Sequence, residues 1–157
     1  MTVRTTLLDP GVREAMQRLG AAAKQGLGDP ALAELVMIRA SQLNQCAFCL
    51  DMHLTIARKS GESEERIQLL NAWREAGDQY SVRERAALEL TEAVTVLTGG
   101  TSGTASGVGF VPDAVYDGAA AHFDERELAH LLGLIAVINS WNRLMVSRRI
   151  PPKGPAW

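Results

Sequence analysis

Apolar residues recur three and four positions apart along the chain, and no segment keeps up the two-residue alternation of a half-buried strand. That period restricts the chain to packed helices. The first is expected from Pro10 to Lys24, with Val12, Ala15, Met16 and Leu19 at helical spacing, and the glycine-containing run 25–28 reads as its breaker. Asp29 caps the second. Pro30 takes its first position, where a missing N–H costs nothing, and Leu32, Leu35, Val36 and Ile38 carry it to Leu43. Asn44 reads as the break and as the cap of a third helix ending near Ser60 and Gly61, which puts Cys46 in its first turn.

Ser63 opens a fourth helix, through Ile67, Leu69, Leu70 and Trp73 to Gly77. Ser81 and Glu84 form a capping box at the head of the fifth, which reaches Leu97. Residues 99–109 hold five of the fourteen glycines and are expected to be a flexible loop, too short to divide the chain into two domains. A sixth helix follows Pro112 to Phe123. A second box, Asp124 and Glu127, starts the seventh, which runs almost to Pro151 and is the expected central strut as the longest and most apolar. The fold class is therefore all-α, a single-domain bundle of about seven helices over residues 1–157.

At 157 residues and 17.0 kDa, with 46% hydrophobic and 22% charged residues, the chain is sized for one core that removes roughly 68–70% of the unfolded surface from water. The longest apolar stretch, Leu131 to Ile138, falls well short of the roughly 20 residues of a membrane span. No basic region followed by an apolar one marks the N-terminus for export, so a cytoplasmic protein with no membrane partner is expected. Sixteen basic residues are scattered among eighteen acidic ones, for a net charge of −2, which leaves no electrostatic footprint for nucleic acid.

The chain has two cysteines, Cys46 and Cys49, three positions apart. On a helix Cys46, Cys49 and His53 fall within a sector of about 60°, so both sulfurs and the imidazole share one face. Free N–H groups at a helix start lower a thiol's pKa, a histidine one turn on takes its proton, and the second thiol closes a disulfide. A dithiol redox centre needs those parts: in peroxide reduction the thiolate becomes a sulfenic acid, which the neighbouring thiol captures. The same residues fit other readings. The pair with His53 and a carboxylate resembles half of a zinc site, and two cysteines with a histidine also suit a packed helix face or a non-catalytic redox-sensing module. His122 and His130 have no partner at metal spacing.

Glu34 stands twelve residues before Cys46. With the Cys-x-x-Cys pair at 46 and 49 and His53 four residues beyond, this pattern resembles the core of the AhpD-like alkyl hydroperoxidases in the carboxymuconolactone decarboxylase superfamily. Segments 34–41, 72–74, 81–88 and 138–143 are similar to its shorter, single-domain branch, and the resemblance covers residues 30–147. It implies an all-helical fold assembling as trimers or hexamers, with a thiol-dependent peroxidase activity that uses no metal or organic cofactor. The partners it implies are a hydroperoxide substrate and a dithiol or protein reductant. By the same resemblance Cys49 is the peroxidatic thiol, Cys46 the resolving thiol exposed to the reductant, and His53 with Glu34 a proton relay. A carboxylate facing an imidazole fixes its tautomer and raises its basicity. Better-studied members carry a histidine just before the second cysteine; here that residue is Phe48, and the relay is one member shorter. Decarboxylase members lack the cysteine pair, which argues against lactone decarboxylation.

Overall fold

A computed structural model describes residues 2–4, 8–97 and 111–154. Its α-helices are α1 (Pro10–Leu27), α2 (Pro30–Leu43), α3 (Ala47–Lys59), α4 (Glu64–Leu69), α5 (Val82–Thr95), α6 (Asp113–Ala120) and α7 (Glu125–Arg148), with no strand among the described residues. The all-α expectation holds. The expected loop at 99–109 lies outside the described residues.

Local chemistry sets most of the helix ends. Asp9 and Asp29 cap α1 and α2 by accepting from Val12 N–H and Leu32 N–H, each with proline at the first turn. Both expected capping boxes form, Ser81 with Glu84 on α5 and Asp124 with Glu127 on α7. The start of α1 is as expected, but its end is not. The helix continues through Gly26 and stops at Gly28, whose φ of 68° is the left-handed conformation that glycine adopts without strain. Gly26 is a packing residue: a Cβ there would lie 1.9 Å from the His130 ring of α7.

The fourth helix also departs from expectation, ending at Leu69 and tightening into 3-10 turns over Leu70–Glu75 and Gly77–Gln79. At three residues per turn, Leu70 and Trp73 fall on one edge, and both are buried. The Trp73 indole N–H donates to Glu92 Oε1 at 2.7 Å, and Arg39 Nε and Arg74 also donate to that carboxylate, which ties α2 and the 3-10 segment to α5. Helix α7 is the longest, at 24 residues, but α2 is the central element. It packs against α1, α3, α5, α7 and the first 3-10 segment, and Leu32–Ile38 is buried without a break. A helix apolar on all sides belongs inside.

The largest cluster of buried side chains joins α1, α2, α5, α6 and α7; a smaller one joins α2, α3 and the 3-10 segment through Ile38, Ala57, Leu70 and Trp73. Truncating Leu134, fully buried in the first cluster, to alanine is expected to lower the unfolding free energy by about 2–5 kcal/mol. Val82→Ala, at a position 68% exposed, should stay within about 0.5 kcal/mol. Urea denaturation monitored by circular dichroism measures both.

Candidate functional site

The site begins where α2 hands over to α3. Asn44 ends α2 in helical conformation, and Gln45 follows with a φ of 54°, a left-handed geometry that costs a non-glycine residue roughly 1–2 kcal/mol. That reversal brings Cys46 N–H within 3.0 Å of Ser41 O. It also moves the start of α3 later than the sequence suggested. Cys46 is the N-cap itself, in extended conformation, and its Sγ accepts from Cys49 N–H at 3.3 Å. Asn44, expected as the cap, instead donates from Nδ2 to Asn139 Oδ1 and Asn142 Oδ1, each at 2.9 Å. Asn142, wholly buried on α7, donates in turn to Ser41 Oγ at 3.0 Å. Two asparagines of α7 thus clamp the turn that carries the cysteine.

Cys46 and Cys49 are joined as a disulfide, with Cα atoms 5.3 Å apart. Both are 1% exposed. The exposed Cys46 that the resemblance implies is not found: Cys46 and Cys49 share a small buried cluster with Met145 and Ile150, against which Phe48 and Trp141 pack. Arg149 in left-handed conformation turns the chain after α7, and Ile150 N–H bonds to Met145 O at 3.1 Å, which holds Ile150 in that cluster.

Along α3, Cys49, His53 and Ala57 are the buried positions, spaced by one helical turn, so Cys49 and His53 share a face as expected. His53 Nδ1 lies 2.8 Å from Glu34 Oε2 of α2. Glu34 Oε1 accepts from Lys24 Nζ of α1 at 2.5 Å. The Lys24 contact was not visible in the sequence, because ten residues and a helix break separate the pair and no motif marks the lysine. Burial pushes the Glu34 carboxyl up, but the hydrogen bond and charge of His53, followed by those of Lys24, outweigh it and hold it below its ordinary value. An ionised carboxylate only accepts, so His53 Nδ1 carries the proton and Nε2 is left as a base.

Cys49, His53 and Lys24 line one cavity of about 220 Å³ between α1, α3 and α7. The rest of its wall is nearly all apolar. Four of the chain's five methionines, Met16, Met37, Met52 and Met145, face it together with Phe48 and Trp141. Unbranched thioether chains adapt to the shape of an apolar guest. Among the described residues no three His, Cys, Asp or Glu side chains converge as metal ligands, and no helix is long and apolar enough to cross a membrane.

The carboxymuconolactone decarboxylase family matches residues 10–93. The chain is 46% identical over 114 residues to the uncharacterized protein YdfG of Bacillus subtilis, covering 73% of this chain and 71% of that one. It is 34% identical over 127 residues to the uncharacterized protein YnjA of Escherichia coli, covering 80% of this chain but 63% of that protein's length. Among solved structures it is similar to a protein of unknown function from Agrobacterium tumefaciens, provisionally assigned as the antioxidant defence protein AhpD. The TM-score is 0.80 at 32% identity, over 94% of each chain.

Two outcomes test this geometry. Asn142→Ala removes a buried link to Ser41 and Asn44 and is expected to cost about 1–3 kcal/mol in chemical denaturation. Glu34 titrates lower in the folded chain than its ordinary 4.5, so the native state binds fewer protons there. Its stabilising contribution is complete above pH 4.5 and is lost as the pH falls through the lower folded value. Glu34→Gln should therefore flatten the acid limb of a stability–pH curve below that point while lowering stability at neutral pH.

Proposed function

Since the chain belongs to the carboxymuconolactone decarboxylase family as an AhpD-like member, we propose that it is a thiol-dependent peroxidase acting on hydroperoxides. The observation that carries this reading is a redox-capable cysteine pair of which one member, Cys49, faces an apolar cavity beside a histidine backed by a carboxylate.

In the reduced protein His53 Nε2 takes the Cys49 proton, while Nδ1–H stays bonded to Glu34. The thiolate attacks the terminal oxygen of the hydroperoxide, the O–O bond breaks, and the leaving alkoxide is protonated by the imidazolium. Cys49 is then a sulfenic acid. Cys46 attacks its sulfur, water leaves, and the disulfide forms, so that two electrons have passed from the thiols to the peroxide. Cys46 is suited to the resolving role because the Cys49 N–H already points at its sulfur and stabilises negative charge there. Glu34 holds the imidazole tautomer, and Lys24 keeps Glu34 ionised. Glu34 also borders a second cavity of about 110 Å³, lined by Ser60 and Glu62 as well. Phe48, at the position where better-studied members of the family carry a histidine, extends the apolar wall and favours a carbon-rich peroxide. The trimeric or hexameric assembly belongs to the same proposal.

Reduced protein is expected to lose both thiols on adding one equivalent of cumene hydroperoxide. Cys49→Ser should abolish this loss, and Cys46→Ser should leave a sulfenic acid that dimedone traps. Thiol titration with mass spectrometry reads all three, and wild-type thiols that stay free after peroxide would sink the reading.

A further inference from the structure

Cys49 shares its cavity with four thioether side chains, and water reaches them unequally. Met37 and Met145 are buried and Met16 is half-buried, whereas Met52 is 36% exposed where it lines the cavity. Met52 stands three residues after Cys49 on α3, close to one turn, so it continues the wall that the cysteine begins. A thioether is a nucleophile that needs no deprotonation. It can still take oxygen from a hydroperoxide when Cys46 and Cys49 are joined and no thiolate remains.

We propose that Met52 is an oxidation site of this cavity, converted to its sulfoxide by an alkyl hydroperoxide that enters while the cysteines are paired, and that the sulfoxide then turns carbon-rich guests away. This rests on the reading that the cavity takes apolar hydroperoxides. The Met52 sulfur attacks the terminal peroxide oxygen with its lone pair, an S–O bond forms and the O–O bond breaks. The hydroperoxide's own proton goes to the departing alkoxide, so an alcohol leaves and Met52 has given up two electrons. Burial selects Met52 over its neighbours. A sulfoxide at Met37 or Met145 would place a polar oxygen inside the apolar clusters to which those residues belong, without the water it needs, whereas at Met52 the oxygen stays hydrated. An apolar guest that covers the oxidised side chain strips that water off, and its affinity falls. Hydrogen peroxide, small and itself hydrogen-bonding, leaves the dipole solvated and is admitted as before. An excess of hydroperoxide over reductant is thereby recorded on the wall of the cavity.

The test treats the disulfide form of the whole chain with cumene hydroperoxide or with hydrogen peroxide, in the presence of N-acetylmethionine as a standard, and follows each methionine by peptide mass spectrometry. With cumene hydroperoxide, Met52 is expected to gain oxygen at least tenfold faster than Met37 and Met145. Measured against the standard, it should also react at least tenfold faster with cumene hydroperoxide than with hydrogen peroxide. Equal ratios for the two oxidants would mean that exposure alone decides, and would overturn the proposal. A Cβ at Gly20 on the cavity wall meets only Val137 methyls, at 3.9 and 4.0 Å, so Gly20→Leu grows into the cavity. With its helical content intact by circular dichroism, this variant should lose the preference for cumene hydroperoxide, and keeping it would also overturn the proposal. The consequence is read without turnover. Protein carrying the Met52 sulfoxide should bind cumyl alcohol at least fivefold more weakly than untreated protein in isothermal titration, and Met52→Leu should keep its affinity through the same peroxide treatment. Unchanged affinity in the first, or an equal loss in the second, would sink the exclusion of apolar guests. Reduced thiols that ignore hydroperoxide while Met52 is oxidised in this pattern would discard the peroxidase reading and leave the Met52 assignment standing.

Discussion

A carboxylate buried in the most apolar helix of the bundle is the constraint on which the rest depends. Glu34 is 4% exposed, in a run of α2 that is otherwise hydrocarbon, and an ionised side chain there is tolerated only with partners that replace the lost water. It has two. His53 reaches it from α3 and Lys24 from α1, so one carboxylate ties three helices together at a single point. Removing the buried His53 leaves the carboxylate short of a partner in an apolar surrounding, which ordinarily costs about 3–5 kcal/mol, whereas Lys24 is 37% exposed and its loss costs less. The same pairings orient the imidazole and bring a cation to the edge of the cavity, and for this reason the interaction that secures α1 and α3 on α2 is also the one that prepares the site.

The second constraint is the reversal between α2 and α3. Gln45 occupies left-handed backbone space, and the surroundings hold it there through Asn44, Asn139, Asn142 and the bond from Cys46 N–H to Ser41 O. Strain of this kind persists only where neighbouring groups over-determine it. What it secures is the position of Cys46 at the tip of α3, with its sulfur in the path of a helix N–H. Had Asn44 capped the helix, the Cys49 N–H would have bonded to the backbone carbonyl four residues back instead of to the Cys46 sulfur. The clamp comes from α7, and this explains why the segment 138–143 belongs to the pattern of the cysteines although it lies far from them in the chain.

Much of this was legible before any coordinates. Asp9, Asp29, Ser63, Ser81 and Asp124 are caps whose chemistry acts within four residues, so all five helix starts could be read from local sequence. Cys49 and His53 share a face because four residues is close to one turn, and that also needs no tertiary information. Gly26 shows the limit of such reasoning. A glycine near a helix end reads as a breaker, and only the approach of His130 from α7 shows that it stays helical and is there to make room. The 3-10 turns after α4 are likewise set at a distance, by the burial of Trp73 against Glu92 of α5.

The sequence by itself determined the helices, the face that carries Cys49 and His53, and the candidacy of Glu34, because periodicity, capping and spacing are properties of a few neighbouring residues. The tertiary structure decided what surrounds them: Lys24 on Glu34, α7 asparagines on the α2–α3 turn, methionines around the cavity that Cys49 lines, and Ile150 in the cluster with both cysteines. Those partners lie on separate helices, and whether two side chains meet across a bundle depends on packing angles and registers summed over the whole core. No local pattern encodes that sum. It also decided the most consequential difference, that the cysteine expected to face outward is buried while its partner faces a cavity. A two-residue change in where α3 is capped, from Asn44 to Cys46, places the Cys46 sulfur in the path of the Cys49 N–H.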